Sequence, residues 1–187
     1  IVLTMLLVIP ATIGMMSLAE PIIKLVYQRG AFDNKSVIVT ASMLIAYAPF
    51  VIFQSFSDVI DKGFYAVGDS KSPVIIVVIQ QIINIILNFI LIQFFDIQGL
   101  ALATAISAAA GATMMLIKFR KNFGRINFKT SLKSLIKITV LSILMGLIAS
   151  VIYGNLSGKL SYLLAMFIAI IIAAIFYALT ILFARIP

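Results

Sequence analysis

Asn84 and Asn88 stand four residues apart in a stretch that is otherwise almost wholly apolar, and Gln80 and Gln81 precede them in the same stretch. A spacing of four puts Asn84 and Asn88 on one face of a helix. Thr104 lies one to two turns into the next apolar stretch, and the short connection at 89–99 makes the two stretches antiparallel neighbours. Two amide oxygens, the Thr104 hydroxyl and the backbone carbonyl of Leu100 then form an oxygen-rich set suited to a hard cation such as Na⁺. The same groups serve equally well as hydrogen-bonding glue between two membrane helices. Amides carry no charge, so an acidic ligand for such an ion has to come from a helix upstream of this sequence.

Other candidates are few. Asp58 is the one acid placed within an apolar stretch, where an ionisable group is costly to keep and could act as a proton carrier or headgroup gate. It also sits one turn from Asp61 and Lys62 at the wet end of that stretch, where solvation or pairing accounts for it. Arg29 and Asp33, again four apart, read either as an ion pair closing a turn or as part of a substrate site. Cysteine and histidine are both absent, which removes thiol nucleophiles, disulfides, imidazole metal sites and Ser-His-Asp catalysis. The sequence therefore reads as non-enzymatic, with no catalytic or cofactor-binding residue assigned.

The elements that position these residues are apolar runs of bilayer length. The chain has 187 residues, 63% of them hydrophobic, against about half in a soluble domain. A spanning helix needs about 20 mostly apolar residues. Six such runs, near 1–18, 37–60, 73–95, 98–117, 134–153 and 160–184, predict an all-α polytopic membrane protein with six transmembrane helices. Continuous apolar runs favour helices over a barrel, whose strands alternate. The first run is under way at Ile1, so the sequence reads as the tail half of a larger protein. Glu20-Pro21 is expected to stop the first span, Pro10 and Pro49 to kink theirs, and Gly68-Asp69 with Pro73 to start the third.

Net charge is +8, and its distribution matters more than its size. Lys118, Arg120, Lys121, Arg125, Lys129, Lys133 and Lys137 crowd one connection, which the positive-inside rule places in the cytoplasm. Alternation then puts Lys62, Lys71 and Arg185 inside and Lys24, Arg29, Lys35 and Lys159 outside, ten against four. With Phe119, Phe123 and Phe128 interleaved, the loop would suit RNA in isolation. Beside spanning helices it reads as a topology determinant and an anchor to anionic lipid, with no nucleic-acid partner.

Several motifs resemble one family. Glu20-Pro21-Ile22-Ile23, Tyr27-Gln28-Arg29-Gly30-Ala31-Phe32-Asp33, Gly63-Phe64-Tyr65-Ala66-Val67-Gly68-Asp69-Ser70-Lys71-Ser72-Pro73, Asn84, Asn88 and Gly99-Leu100-Ala101-Leu102-Ala103-Thr104 occur in the order and spacing of the MurJ/MviN lipid II flippases. The resemblance covers the whole chain, and the Pro-Ile-Ile element is shared across the multidrug/oligosaccharidyl-lipid/polysaccharide exporter superfamily.

The resemblance implies spans nine to fourteen of a fourteen-helix transporter. Residues 1–118 would be the last four helices of the C-terminal lobe, 119–133 a basic cytoplasmic loop, and 134–187 two additional C-terminal helices. It further implies lipid II as substrate, carried across the bacterial cytoplasmic membrane by alternating access, with the N-terminal lobe, absent here, and membrane lipids as partners. Similarity to sodium-linked members of the superfamily adds weight to a Na⁺ site. The alternatives are an exporter of another lipid-linked oligosaccharide, a drug/cation antiporter, a membrane enzyme on polyprenyl phosphates that would lack its usual Asp-rich cluster, and a non-transporting scaffold.

Overall fold

A computed structural model of the chain describes residues 1–30, 32–123 and 128–184, with the side chains of 128–131 and 184 outside that description. The described residues form six α-helices: α1 (Val2–Ser17), α2 (Ala19–Tyr27), α3 (Asn34–Ala66), α4 (Lys71–Phe123), α5 (Phe128–Leu156) and α6 (Tyr162–Ala184). Helix is what an apolar environment demands, because every backbone N–H and C=O finds its partner within the element. Four of the helices are long and apolar enough to cross a membrane, and α1 with α2 forms a fifth candidate, bent by 75°. Residue Asp96, at φ 49° and ψ −137°, divides α4 into two arms, 71–95 and 97–123, each long enough to span. Six bilayer-length elements result. They leave large apolar side chains such as Phe89, Phe94, Leu182 and Phe183 exposed, as lipid-facing helices do.

Local chemistry differs from expectation at three places. The first span breaks at Leu18, ahead of Glu20-Pro21, and Pro21 sits in the first turn of α2, where its missing N–H costs nothing. Pro10 and Pro49 lie inside α1 and α3, as the sequence places them. No loop separates the third and fourth spans, because Asp96 alone turns the chain. The basic connection is also shorter than 119–133, since α4 runs on to Phe123 and α5 begins at Phe128. Arg125 and Arg185 of the charge pattern, and Ala31 of the Arg-Gly-Ala-Phe-Asp motif, lie outside the described residues.

The chain divides into two compact units. The first comprises Ile1–Val8 and Ala46–Ser131. Its core is Ile60, Phe64, Ile76 and Met115, with Phe56, Met114 and Phe119 packed around them. Phe119 and Phe123, interleaved with the basic residues, place their rings against Phe64 at centroid distances of 5.2 and 5.6 Å, edge to face. Such pairs add about 0.5–1.5 kcal/mol each beyond area burial.

The second unit comprises Ile9–Ile45 and Leu132–Pro187. One cluster joins Leu18, Met145, Ala149 and Ala173, and another joins Ala19, Ile23, Val37 and Ala41. Small residues at helical spacing let the helices approach closely, as expected of membrane packing. The break at Leu18 frees carbonyls at the end of α1, and the Ser150 hydroxyl donates to one of them, Ser17 O, at 3.3 Å.

Candidate functional site

The antiparallel course of the α4 arms is visible in its contacts. Gly99 approaches Leu91, Thr104 and Ser107 face Asn84, Gly111 faces Gln80, and Met115 packs near Ile76, so numbers rise along one arm as they fall along the other. Two glycines make this pairing possible. A Cβ on Gly99 would lie 2.3 Å from the Leu91 carbonyl oxygen, a backbone atom that cannot rotate away. A Cβ on Gly111 would lie 2.1 Å from Gln80 Oε1, and Gln80 is itself buried at 7% exposure. The facing stripe Ala101, Ala105, Ala108 and Ala112 is buried as well.

Between the arms the polar groups meet. Asn84 Nδ2 donates to Thr104 Oγ1 at 3.4 Å and to Ser107 Oγ at 3.3 Å, and Asn84 Oδ1 accepts from Asn88 Nδ2 at 3.2 Å. Thr104 Oγ1 donates to Leu100 O at 2.9 Å, and Ser107 Oγ to Thr104 O at 3.0 Å. All four expected residues, Asn84, Asn88, Leu100 and Thr104, thus fall in one hydrogen-bonded cluster. Asn88 Oδ1 is buried and accepts no hydrogen bond. Leaving such an acceptor unsatisfied costs about 1–3 kcal/mol, so it marks a position where a donor or a cation would be stabilised. Among the described residues no three carboxylates gather into a metal-binding group.

Ser107 and Gln80 belong to this seam and were not singled out with the expected set. Gln80 has a sequence signal: it stands four residues before Asn84 on the same face. Ser107 has almost none, because a serine can satisfy its hydroxyl within its own helix.

The remaining candidates do not join the cluster. Asp58 is exposed, and its Oδ1 accepts from Gln54 Nε2 at 2.9 Å. Beside it Ser57 Oγ, and one turn on Asp61 Oδ1, are buried without hydrogen-bond partners, a feature the sequence did not reveal. Arg29 is exposed and does not pair with Asp33. Among the described residues the ion pair in this region is Lys24 to Glu20, at 2.7 Å. Asp33 instead caps α3, its Oδ1 accepting from Ser36 N at 2.8 Å, and Asp69 caps α4 by accepting from Ser72 N at 3.0 Å. Hydrogen bonds from Ser36 hold the Asp33 carboxyl below its ordinary range, and those from Ser72, with Lys118 nearby, do the same for Asp69.

These features define a polytopic helical membrane protein whose polar residues meet between helices. Comparison with known proteins narrows the class. The family model for the lipid II flippase MurJ matches residues 1–174. The chain is 33% identical over 135 residues to the probable lipid II flippase MurJ of Thermotoga maritima, covering 72% of this chain and 28% of that protein. It is 34% identical over 139 residues to the lipid II flippase MurJ of Thermosipho africanus, covering 74% and 29%. A solved structure described as lipid II flippase MurJ in an inward closed conformation superposes with a TM-score of 0.74 at 27% identity, over 95% of this chain and 36% of that one. The chain belongs to the MurJ lipid II flippase family. It spans under a third of the length of the two relatives named.

Proposed function

We propose that this chain is the C-terminal part of a lipid II flippase, which moves the undecaprenyl-linked peptidoglycan precursor from the inner to the outer leaflet of the bacterial cytoplasmic membrane by alternating access. The observation that carries the reading is the family match over residues 1–174. In this reading the chain supplies spans nine to fourteen, residues 1–118 complete the C-terminal lobe, and 134–187 add two helices whose exposed aliphatic faces suit lipid. The stretch 118–137 and the C-terminus face the cytoplasm, a reading supported by the ten-to-four charge asymmetry.

The amide seam is the proposed ion-linked element of the cycle. Asn84, Asn88, Thr104 and the Leu100 carbonyl would hold Na⁺, and the buried, unpartnered Asn88 Oδ1 favours that use. Asn84 now turns its NH₂ group toward Thr104 and Ser107, so a cation-holding arrangement requires its oxygen there instead. Hydrogen-bonded and ion-holding forms are then two alternatives of one cluster, and an ion shifts their populations only by its differential affinity. Asp58 is a solvated residue at the wet end of its helix, and Arg29 and Asp33 shape the outer turn.

The test is complementation. The full-length protein containing this chain restores growth to cells depleted of their own lipid II flippase, while the chain alone does not. Growth restored by the chain alone, or no growth with the full-length protein at normal expression, contradicts the reading. Orientation is tested separately in the full-length protein. A cysteine at Asn122 stays unlabelled by an impermeant reagent applied from outside.

A further inference from the structure

At the end where α4 begins, its two arms leave a groove of about 320 Å³ between them. Ile75, Ile79, Met114 and Ile117 form its walls, and Ser72, Lys118 and Lys121 line it as well. Because the arms are antiparallel, position along the groove, away from the end where α4 begins, runs from 72 to 79 on one arm and from 121 to 114 on the other. Ser72, Lys118 and Lys121 therefore lie toward the end where α4 begins, and Ile79 and Met114 lie farther along the arms. Lys118 and Lys121, three apart, share one helix face and are exposed.

We propose that this groove binds an anionic glycerophospholipid, with the phosphate against Lys118 and Lys121 and one acyl chain lying along Ile75, Ile79 and Ile117. An apolar groove alone would accept any lipid tail or a neighbouring helix. The charge at its mouth selects the occupant, since basic pockets between membrane helices favour anionic headgroups. Asp69 stands near Lys118 and offsets part of that charge, but its carboxylate is engaged in capping α4 through Ser72. Two groove lysines against one engaged carboxylate leave the mouth positive. The gradient from charge to aliphatic surface along the helix axis also matches the order of groups along a phospholipid in a bilayer. The inference requires that the α4 arms cross a membrane but not that the protein moves lipid II, so either can fail alone.

Photocrosslinking tests it in the full-length protein. A benzophenone amino acid replaces Ile79, the protein is placed in nanodiscs with equal amounts of phosphatidylglycerol and phosphatidylcholine of the same chain length, and adducts are identified by mass. The expected result is a phosphatidylglycerol adduct in about 30-fold preference, near fivefold for each lysine. K118Q/K121Q abolishes the preference while adduct yield persists, and K118R/K121R retains it. Equal adducts of the two lipids, a preference that survives K118Q/K121Q, or crosslinking chiefly to protein would each overturn the proposal.

Discussion

The seam between the α4 arms and the seam in the second unit solve the same packing problem with different polar chemistry. Both bring helices close through small residues: Ala101, Ala105, Ala108 and Gly111 in the first, Ala149, Ala165, Ala169 and Ala173 in the second. In the second unit the hydroxyls are mostly spent at home. Thr139 donates to Leu135 O at 2.9 Å and Thr180 to Phe176 O at 2.9 Å, each within its own helix. Asn84 instead reaches across to the other arm. An amide carries two donors and an acceptor, more than its own helix can satisfy, whereas a hydroxyl can bond back to the carbonyl four residues earlier. A hydroxyl couples helices where a partner is left free, as Ser150 does at Ser17 O, whereas an amide must look beyond its own helix for part of its bonding.

The most severe way to break the first seam is to deny the arms their approach. Gly99→Val puts a side chain into the Leu91 carbonyl, and the full-length protein should lose about 3 kcal/mol or more, or fail to fold. Unfolding by steric trapping or denaturant measures this, and a near-neutral result would mean the arms do not meet as described.

Next comes the contrast itself. Asn84→Leu removes both donors to Thr104 and Ser107 and the acceptor for Asn88, for an expected loss of about 1–2 kcal/mol. Thr139→Val removes a hydroxyl that donates to its own helix, at Leu135 O, and should stay within about 0.5 kcal/mol. Equal effects would erase the distinction between the two seams.

The smallest effect lies outside the membrane. Asp33 and Asp69 have depressed carboxyl pKa values in the folded state, so each contributes stability above the unfolded value of about 3.9 and loses it as pH falls through the lower folded value. Amide exchange at Ser36 and Ser72 should therefore quicken below about pH 4, relative to the intrinsic rate. Asp33→Asn keeps the cap and removes that dependence at Ser36; unchanged pH dependence in the variant would show that another group titrates.

The long apolar helices α3 to α6 were legible because hydrocarbon thickness imposes a run length that composition cannot hide. The meeting of Asn84, Asn88, Leu100 and Thr104 was legible for a related reason: residues four apart share a face, and a short link forces antiparallel neighbours. The hinge was not. Asp96 turns the chain with one residue in a conformation glycine usually takes, without a glycine or proline to announce it. Pro21 misplaced the first break because proline is tolerated in a first helical turn, and the true break at Leu18 carries no capping side chain. Phe119 and Phe123 looked like loop aromatics beside basic residues, although helical spacing of four already allowed them to pack together on Phe64.

The central claim, that the α4 seam is an ion-linked element of the transport cycle, is tested by thermal unfolding of the full-length protein across a Na⁺ titration at constant ionic strength, with K⁺ as the balancing cation. The account predicts that Na⁺ raises the wild-type Tm and that Asn88→Leu and Thr104→Val each weaken the Na⁺-specific rise, beyond any loss common to both salts. A wild-type Tm that is the same in Na⁺ and K⁺ would contradict it and leave the amides as hydrogen bonds between helices.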